Sequence, residues 1–359
     1  MRRDNTMRII CTALAVMMLT GCGSSVESSE AAAKAGTSET SVTDKKTQTD
    51  TTTTTTVTEQ TTTTEAVTEP DDESSEQIPS DLSIESYEAV FEEVLDGVEV
   101  TADENRIVET GNVQGTDFSL TIDLSKWEHY TTPYDMRVLS RLFWQNYPKL
   151  YRRYGDITGA PTDVTLAIEN EGYEIAEAGG SLVHLHDQWL YSSPEDYDCI
   201  THELAHIAQD GVSWYDENLE YSYYTELFVD CARYEYALDN GYYNDHVWTL
   251  HTPDEETDRS GSVRFFVWLD YNYSTKDNDL MRKFCSIAYN GAYAADDWAG
   301  AWEEILSGTE LEGLSIDEVW DRYAQSGFAY MSAYADAGEK SELLESFDIR
   351  QKADELAAR

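Results

Sequence analysis

From about residue 82 onward the chain alternates between two hydrophobic periods. Phe118 to Leu124 places an apolar residue at every second position, and with the more loosely alternating Arg106 to Val113 it predicts a hairpin joined through Gly111 and Gly115, either a small lid or the first layer of a main sheet. Tyr134 to Tyr154 carries Met136, Leu139, Leu142, Phe143 and Tyr147 at three-and-four spacing, which predicts a helix interrupted near Pro148. Val164 to Ile168, Tyr173 to Ala176 and Leu182 to Leu185, set off by Gly172 and Gly179-Gly180, read as three more strands. Beyond them the period is helical almost throughout: about Glu217 to Asp239, Ser262 to Tyr273, Asp277 to Tyr289, Asp297 to Leu306 and Ser315 to Ala324, with a charged terminal helix within 336–359. A short amphipathic helix is expected from Ser83 to Val94. The expected fold class is α+β, a small mixed β-sheet followed by a mainly helical half.

The first quarter lacks either period. Arg2, Arg3 and Arg8 precede an apolar run from Ile9 to Leu19, and Leu19-Thr20-Gly21-Cys22 resembles the lipobox of bacterial lipoproteins. That resemblance implies cleavage after residue 21 and a lipid on Cys22, with the chain held at the bacterial cell surface and touching the membrane only through that anchor. Residues 22–80 then turn to Thr, Ser, Glu and Ala, with runs at Thr51 to Thr56 and Thr61 to Thr64. Such a segment buries too little apolar area to offset its chain entropy and reads as an extended spacer. A single folded domain is expected over 81–335.

Charge narrows the partners. The chain has 70 Asp+Glu against 24 Lys+Arg, a formal net charge of −46, and no basic stripe. Nucleic acid is therefore excluded as a partner, because nothing is present to neutralise its phosphates. A monomer is expected.

The chemistry concentrates in Thr201-His202-Glu203-Leu204-Ala205-His206. On a helix of about 3.6 residues per turn, His202 and His206 stand one above the other, so two imidazole nitrogens reach one metal ion. Glu203 lies roughly 100° around from His202 and can touch a water on that ion without ligating it, the position of a general base. Ser193-Pro194-Glu195-Asp196 predicts the start of this helix, with Ser193 as N-cap and Pro194 at N1, and Gly211 predicts its end. Ile200, Leu204 and Ile207 form an apolar stripe away from the histidines.

Twenty residues past His206 comes Glu226-Leu227-Phe228-Val229-Asp230. Alone, Glu226 and Asp230 would read as a solvated helix face with Arg233 as ion-pair partner. The spacing, however, resembles that of gluzincin metallopeptidases, in which a glutamate on a second helix completes the ligand set and an aspartate follows one turn later. More narrowly, Val164 to Ile168, Leu182 to Leu185, His202 to Gln209, Glu226 to Arg233 and Ser262 to Leu269 resemble the basic secretory protein family of plants and bacteria, over roughly residues 130–330. The resemblance implies a zinc peptidase cleft between sheet and helices, with His202, His206 and Glu226 as zinc ligands, Glu203 as catalytic base and Asp230 behind a ligating histidine. Leu227 and Val229 stand where the family has Gly and Ala, and Asp258-Arg259 replaces its Gly-Tyr. The expected function is a surface-tethered zinc metallopeptidase acting on a protein or peptide substrate; the competing one is a non-catalytic lipoprotein that binds peptides or wall polymers in the same cleft.

Two features stay open at this level. Tyr215, Tyr221, Tyr223, Tyr224, His246 and His251 are all candidates to steady the oxyanion. Cys199, Cys231 and Cys285 are an odd set, expected as buried thiols rather than a disulfide framework, although Cys199 and Cys231 lie near the ligands.

Overall fold

The computed structural model describes residues 97–171, 175–209, 223–236, 263–290, 298–331 and 342–358. The export signal, Cys22, the spacer and the Ser83 to Val94 helix all lie outside the described residues. Among the described residues no helix is long and apolar enough to cross a membrane.

The predicted hairpin is part of the main sheet. Strands β2 (Arg106–Val113) and β3 (Thr116–Asp123) pair antiparallel about a turn in which Gln114 and Gly115 have φ of 53° and 92°, the left-handed geometry that two-residue hairpins demand. Gly111 is not in that turn. It sits inside β2 under the ring of Trp144, where an added Cβ would meet the indole at 3.0 Å. A strand that the sequence reading missed, β1 (Val98–Asp103), adds to β2 as an antiparallel edge. Strands β4 (Asp163–Glu169) and β6 (Leu182–His186) then run parallel to β3, and β5 (Ala176–Gly179) closes the other edge antiparallel to β6. The strand predicted at Tyr173 to Ala176 is thus displaced toward Gly179. The order β1-β2-β3-β4-β6-β5 makes one six-stranded mixed sheet, so the molecule is α+β as expected.

Register explains which face is covered. Leu120 pairs with Val164, Ile122 with Leu166 and Leu166 with Val183, so the apolar sets of β3, β4 and β6 line one face. Against that face lies α1 (Pro133–Leu150), which crosses over from β3 to β4. Thr132 and Asp135 form a reciprocal capping box at its start. Pro148 does not break the helix: it stays within α1, and the chain continues as a π-helical turn over Tyr151–Gly155.

That turn aims Arg153 inward, where it is fully buried among three carboxylates. Its guanidinium donates to Glu235 at 3.0 Å, Asp270 at 2.6 Å and Asp279 at 2.9 Å, joining α1's continuation to α4 (Tyr223–Tyr236), α5 (Val263–Tyr273) and the residue before α6 (Leu280–Asn290). Burial, reinforced by Asp270, pushes the Glu235 carboxyl well above the usual carboxylate range, which favours its protonated form. Arg153→Met is therefore expected to destabilise the fold by about 3 to 5 kcal/mol, since it strands buried carboxylates. Glu235→Gln, which mimics the protonated acid, should cost far less, and urea unfolding of the two variants checks the contrast.

Of the remaining helices, α3 (Cys199–Ala208), α7 (Trp298–Leu306) and α8 (Ile316–Ala324) follow the predicted order, α2 (Asp187–Ser192) was not predicted, and the predicted terminal helix is two, α9 (Glu342–Ser346) and α10 (Ile349–Ala357). α6 starts at Leu280, three residues after the predicted Asp277, because Asp279 caps it by accepting from the Arg282 N–H. The charged terminal segment docks through α10: Tyr236 donates to the carbonyl of Ala353, Arg350 to that of Tyr236 and Arg152 to that of Ala357.

Candidate metal centre

The histidine helix α3 is short, 10 residues, and is held at both ends by long-range contacts rather than by its own caps. It does not begin at Pro194 as the local sequence predicts. Pro194–Asp196 is a separate 3-10 turn, and α3 starts at Cys199 with no side-chain cap from Asp198. Both aspartates are committed elsewhere: Arg233 of α4 grips Asp198 through two bonds of 2.9 and 2.7 Å and Asp196 at 2.6 Å. Between them Tyr197 donates to Asp135 of α1. Midway, Asn146 of α1 donates to Thr201 at 2.9 Å, and at the far end Thr158 donates to the orphan carbonyl of Ala208 at 2.8 Å. Ile200, Leu204 and Ile207 are buried, as the predicted stripe requires, while β5 and β6 pack against the same helix. The predicted stop at Gly211 lies outside the described residues.

α4 runs antiparallel to α3, and one face of it meets the histidines. Residues 226, 230 and 233 recur at the spacing of one helix stripe. Arg233 meets the start of α3, Asp230 meets His202, and Glu226 reaches both His202 and His206. The bland alternative, in which Arg233 neutralises Glu226 and Asp230, is not what the structure shows.

The result is a compact triangle of ligand atoms. Nε2 of His202 and Nε2 of His206 are 3.2 Å apart, and Oε2 of Glu226 lies 3.2 Å from the first and 3.5 Å from the second. A tetrahedral zinc with bonds of about 2.0 to 2.1 Å needs its ligand atoms roughly 3.3 Å from one another, so the three edges fit such an ion. Among the described residues this is the one group of His, Cys, Asp and Glu with atoms gathered closely enough to hold a metal. Nδ1 of His202 donates to Asp230 at 2.9 Å, a contact that would keep the ring proton on Nδ1 when Nε2 gives its lone pair to an ion. The structure thus brings together His202, His206, Glu226 and Asp230, the four residues that the sequence singled out.

No family model, curated protein or solved structure matches this chain.

Electrostatics at the triangle follow from burial and proximity. Burial works against a charged His202, but its hydrogen bonds to Asp230 and Glu226 win and hold its pKa well above the ordinary histidine value. For Glu226 burial pushes upward, yet the adjacent His206 and His202 pull its carboxyl well below the usual range. Both directions reflect the mutual attraction of the imidazoles and the carboxylates beside them. Glu203 stands apart from the ligands, 7% exposed, and burial raises its carboxyl above the ordinary value while the two histidines pull it back. A buried carboxyl with a raised pKa is a stronger base once ionised.

Cys199, Cys231 and Cys285 are free and buried, as expected. Burial raises all three thiols, Cys285 to about 12, so none offers a thiolate near neutrality. Tyr215, Tyr221, His246 and His251 lie outside the described residues, as do the side chains of Tyr223 and Tyr224. Sequence reasoning missed Arg233 and its two aspartates. Their signal was present only as the spacing of 226, 230 and 233 on one helical face.

Proposed function

We propose that this chain is a zinc metallopeptidase of gluzincin type, related to the basic secretory protein family, exported and tethered to the cell surface through Cys22. The observation that carries the reading is the three-edged cluster of His202, His206 and Glu226 with a buried, non-ligating Glu203 beside it. Zinc held by those three side chains would supply Lewis-acid polarisation of a scissile carbonyl and bring the pKa of a water toward neutrality.

The chain's own residues do the rest. Glu203 accepts a proton from the water as its oxygen bonds to the carbonyl carbon, then delivers that proton to the amine as the C–N bond breaks. Asp230 holds the His202 ring in the tautomer and orientation that keep Nε2 free. Strand β5 is an edge, paired only with β6 among the described residues, and it packs beside α3. An extended peptide can add to such an edge through its main chain, which suits a polypeptide substrate with little side-chain demand.

Purified protein is expected to carry about one equivalent of zinc and to hydrolyse casein, with activity lost to a chelator and restored by added zinc. Less than about half an equivalent after gentle purification, with no hydrolysis on zinc addition, would overturn the reading.

A further inference from the structure

Arg233 lies on the same face of α4 as Glu226 and Asp230, yet it touches neither. Its guanidinium instead reaches across to the segment leading into α3, with Nε and Nη2 on the two oxygens of Asp198 at 2.9 and 2.7 Å and Nη2 also on Asp196 at 2.6 Å. Asp198 is fully buried and Asp196 nearly so, and Asp196 is further fixed by the Trp189 indole at 3.0 Å. Asp198 immediately precedes α3, four residues before His202. The fork therefore fixes the axial offset between the two helices that carry the ligands.

We propose that Arg233 is a positioning residue for the metal centre: by clamping Asp198 and Asp196 it sets the distance between Glu226 on α4 and the two histidines on α3. The physical case is geometric. The two helices are antiparallel, so a slide of one along the other moves Glu226 away from His206 while Asp230 leaves Nδ1 of His202. A bidentate guanidinium–carboxylate pair resists that slide, because two parallel bonds lose alignment together, whereas a single ammonium would pivot.

The proposal rests on the zinc reading, and its test separates the two. Zinc affinity of the full-length protein is measured by competition with a chromophoric chelator for wild type, Arg233→Met, Arg233→Lys and Asp198→Asn, alongside melting of each metal-free protein. Leu120→Ala, in the sheet core, serves as a control that loses stability without touching either helix. Arg233→Met and Asp198→Asn are each expected to weaken zinc binding about 10- to 100-fold, as loss of outer-shell support does. Their combination should weaken it little further, because both remove the same clamp. Arg233→Lys keeps the charge but not the fork and should fall between, which keeps the test open where Arg233→Met does not fold. A Leu120→Ala protein that binds as wild type while the clamp variants do not supports the proposal. Clamp variants that bind zinc within about 3-fold of wild type, or no worse than the Leu120→Ala control at equal loss of stability, overturn it. A wild type that binds no zinc refutes the metal reading instead.

Discussion

Glu203→Gln is expected to leave zinc content and melting unchanged while peptide hydrolysis falls by about 10² or more. The amide keeps the size of the carboxylate and can still accept a hydrogen bond, but it cannot take the water's proton. Glu203 makes the test clean because it is 7% exposed and lies outside the ligand triangle, so its loss of charge neither opens a cavity nor removes a metal bond. The reading of this chain as a binding protein predicts the opposite, since capture of a peptide needs no base. A Glu203→Gln protein that cleaved a casein or peptide-library substrate at the wild-type rate would sink the mechanism, whatever its zinc content.

The parts of the site legible in the sequence are those that local geometry dictates. His202 and His206 share a face because a helix repeats every 3.6 residues or so, and Glu226 and Asp230 share one for the same reason. Strands β3, β4 and β6 were visible because each buries alternate large apolar residues, such as Phe118, Leu120 and Ile122 in β3, whereas β2 buries Ile107 and the charged Glu109. The edges were not. β1 half-buries Val98, Val100 and Ala102, and β5 is Ala-Glu-Ala-Gly, a composition with no strand preference that pairing with β6 alone makes extended.

The start of α3 shows why long-range chemistry defeats local signals. Ser193-Pro194 has the residues of a helix start, and an isolated segment would use them so. In the fold, Asp196 and Asp198 gain charge-assisted bonds from an arginine some thirty-five residues away, each stronger than a cap to a neutral amide. The chain therefore turns once as a 3-10 helix and restarts at Cys199. Arg233 could be seen in the sequence as charged and helical, but its partner could not, because pairing across α3 and α4 depends on their antiparallel packing.

Replacing any one of His202, His206 and Glu226 by Ala is expected to abolish zinc retention through gel filtration, read by metal analysis. The case is firmest for the histidines, whose Nε2 atoms stand 3.2 Å apart with no third residue between them. Glu226 is the informative one. Its side chain is 44% exposed, the most open of the three, and it is the candidate ligand with an acidic neighbour able to replace it. Asp230 is the nearest substitute, yet it is bound to Nδ1 of His202, on the far side of the ring from the other ligand atoms, and would have to abandon that bond to reach the ion. Glu226→Ala should therefore lose zinc, whereas Asp230→Asn, which still accepts a hydrogen bond from Nδ1, should only weaken it by about 10-fold. The ordering of the two decides the ligand set: full zinc in Glu226→Ala together with loss in Asp230→Asn would make Asp230 the third ligand and require α4 to turn on its axis when the metal binds.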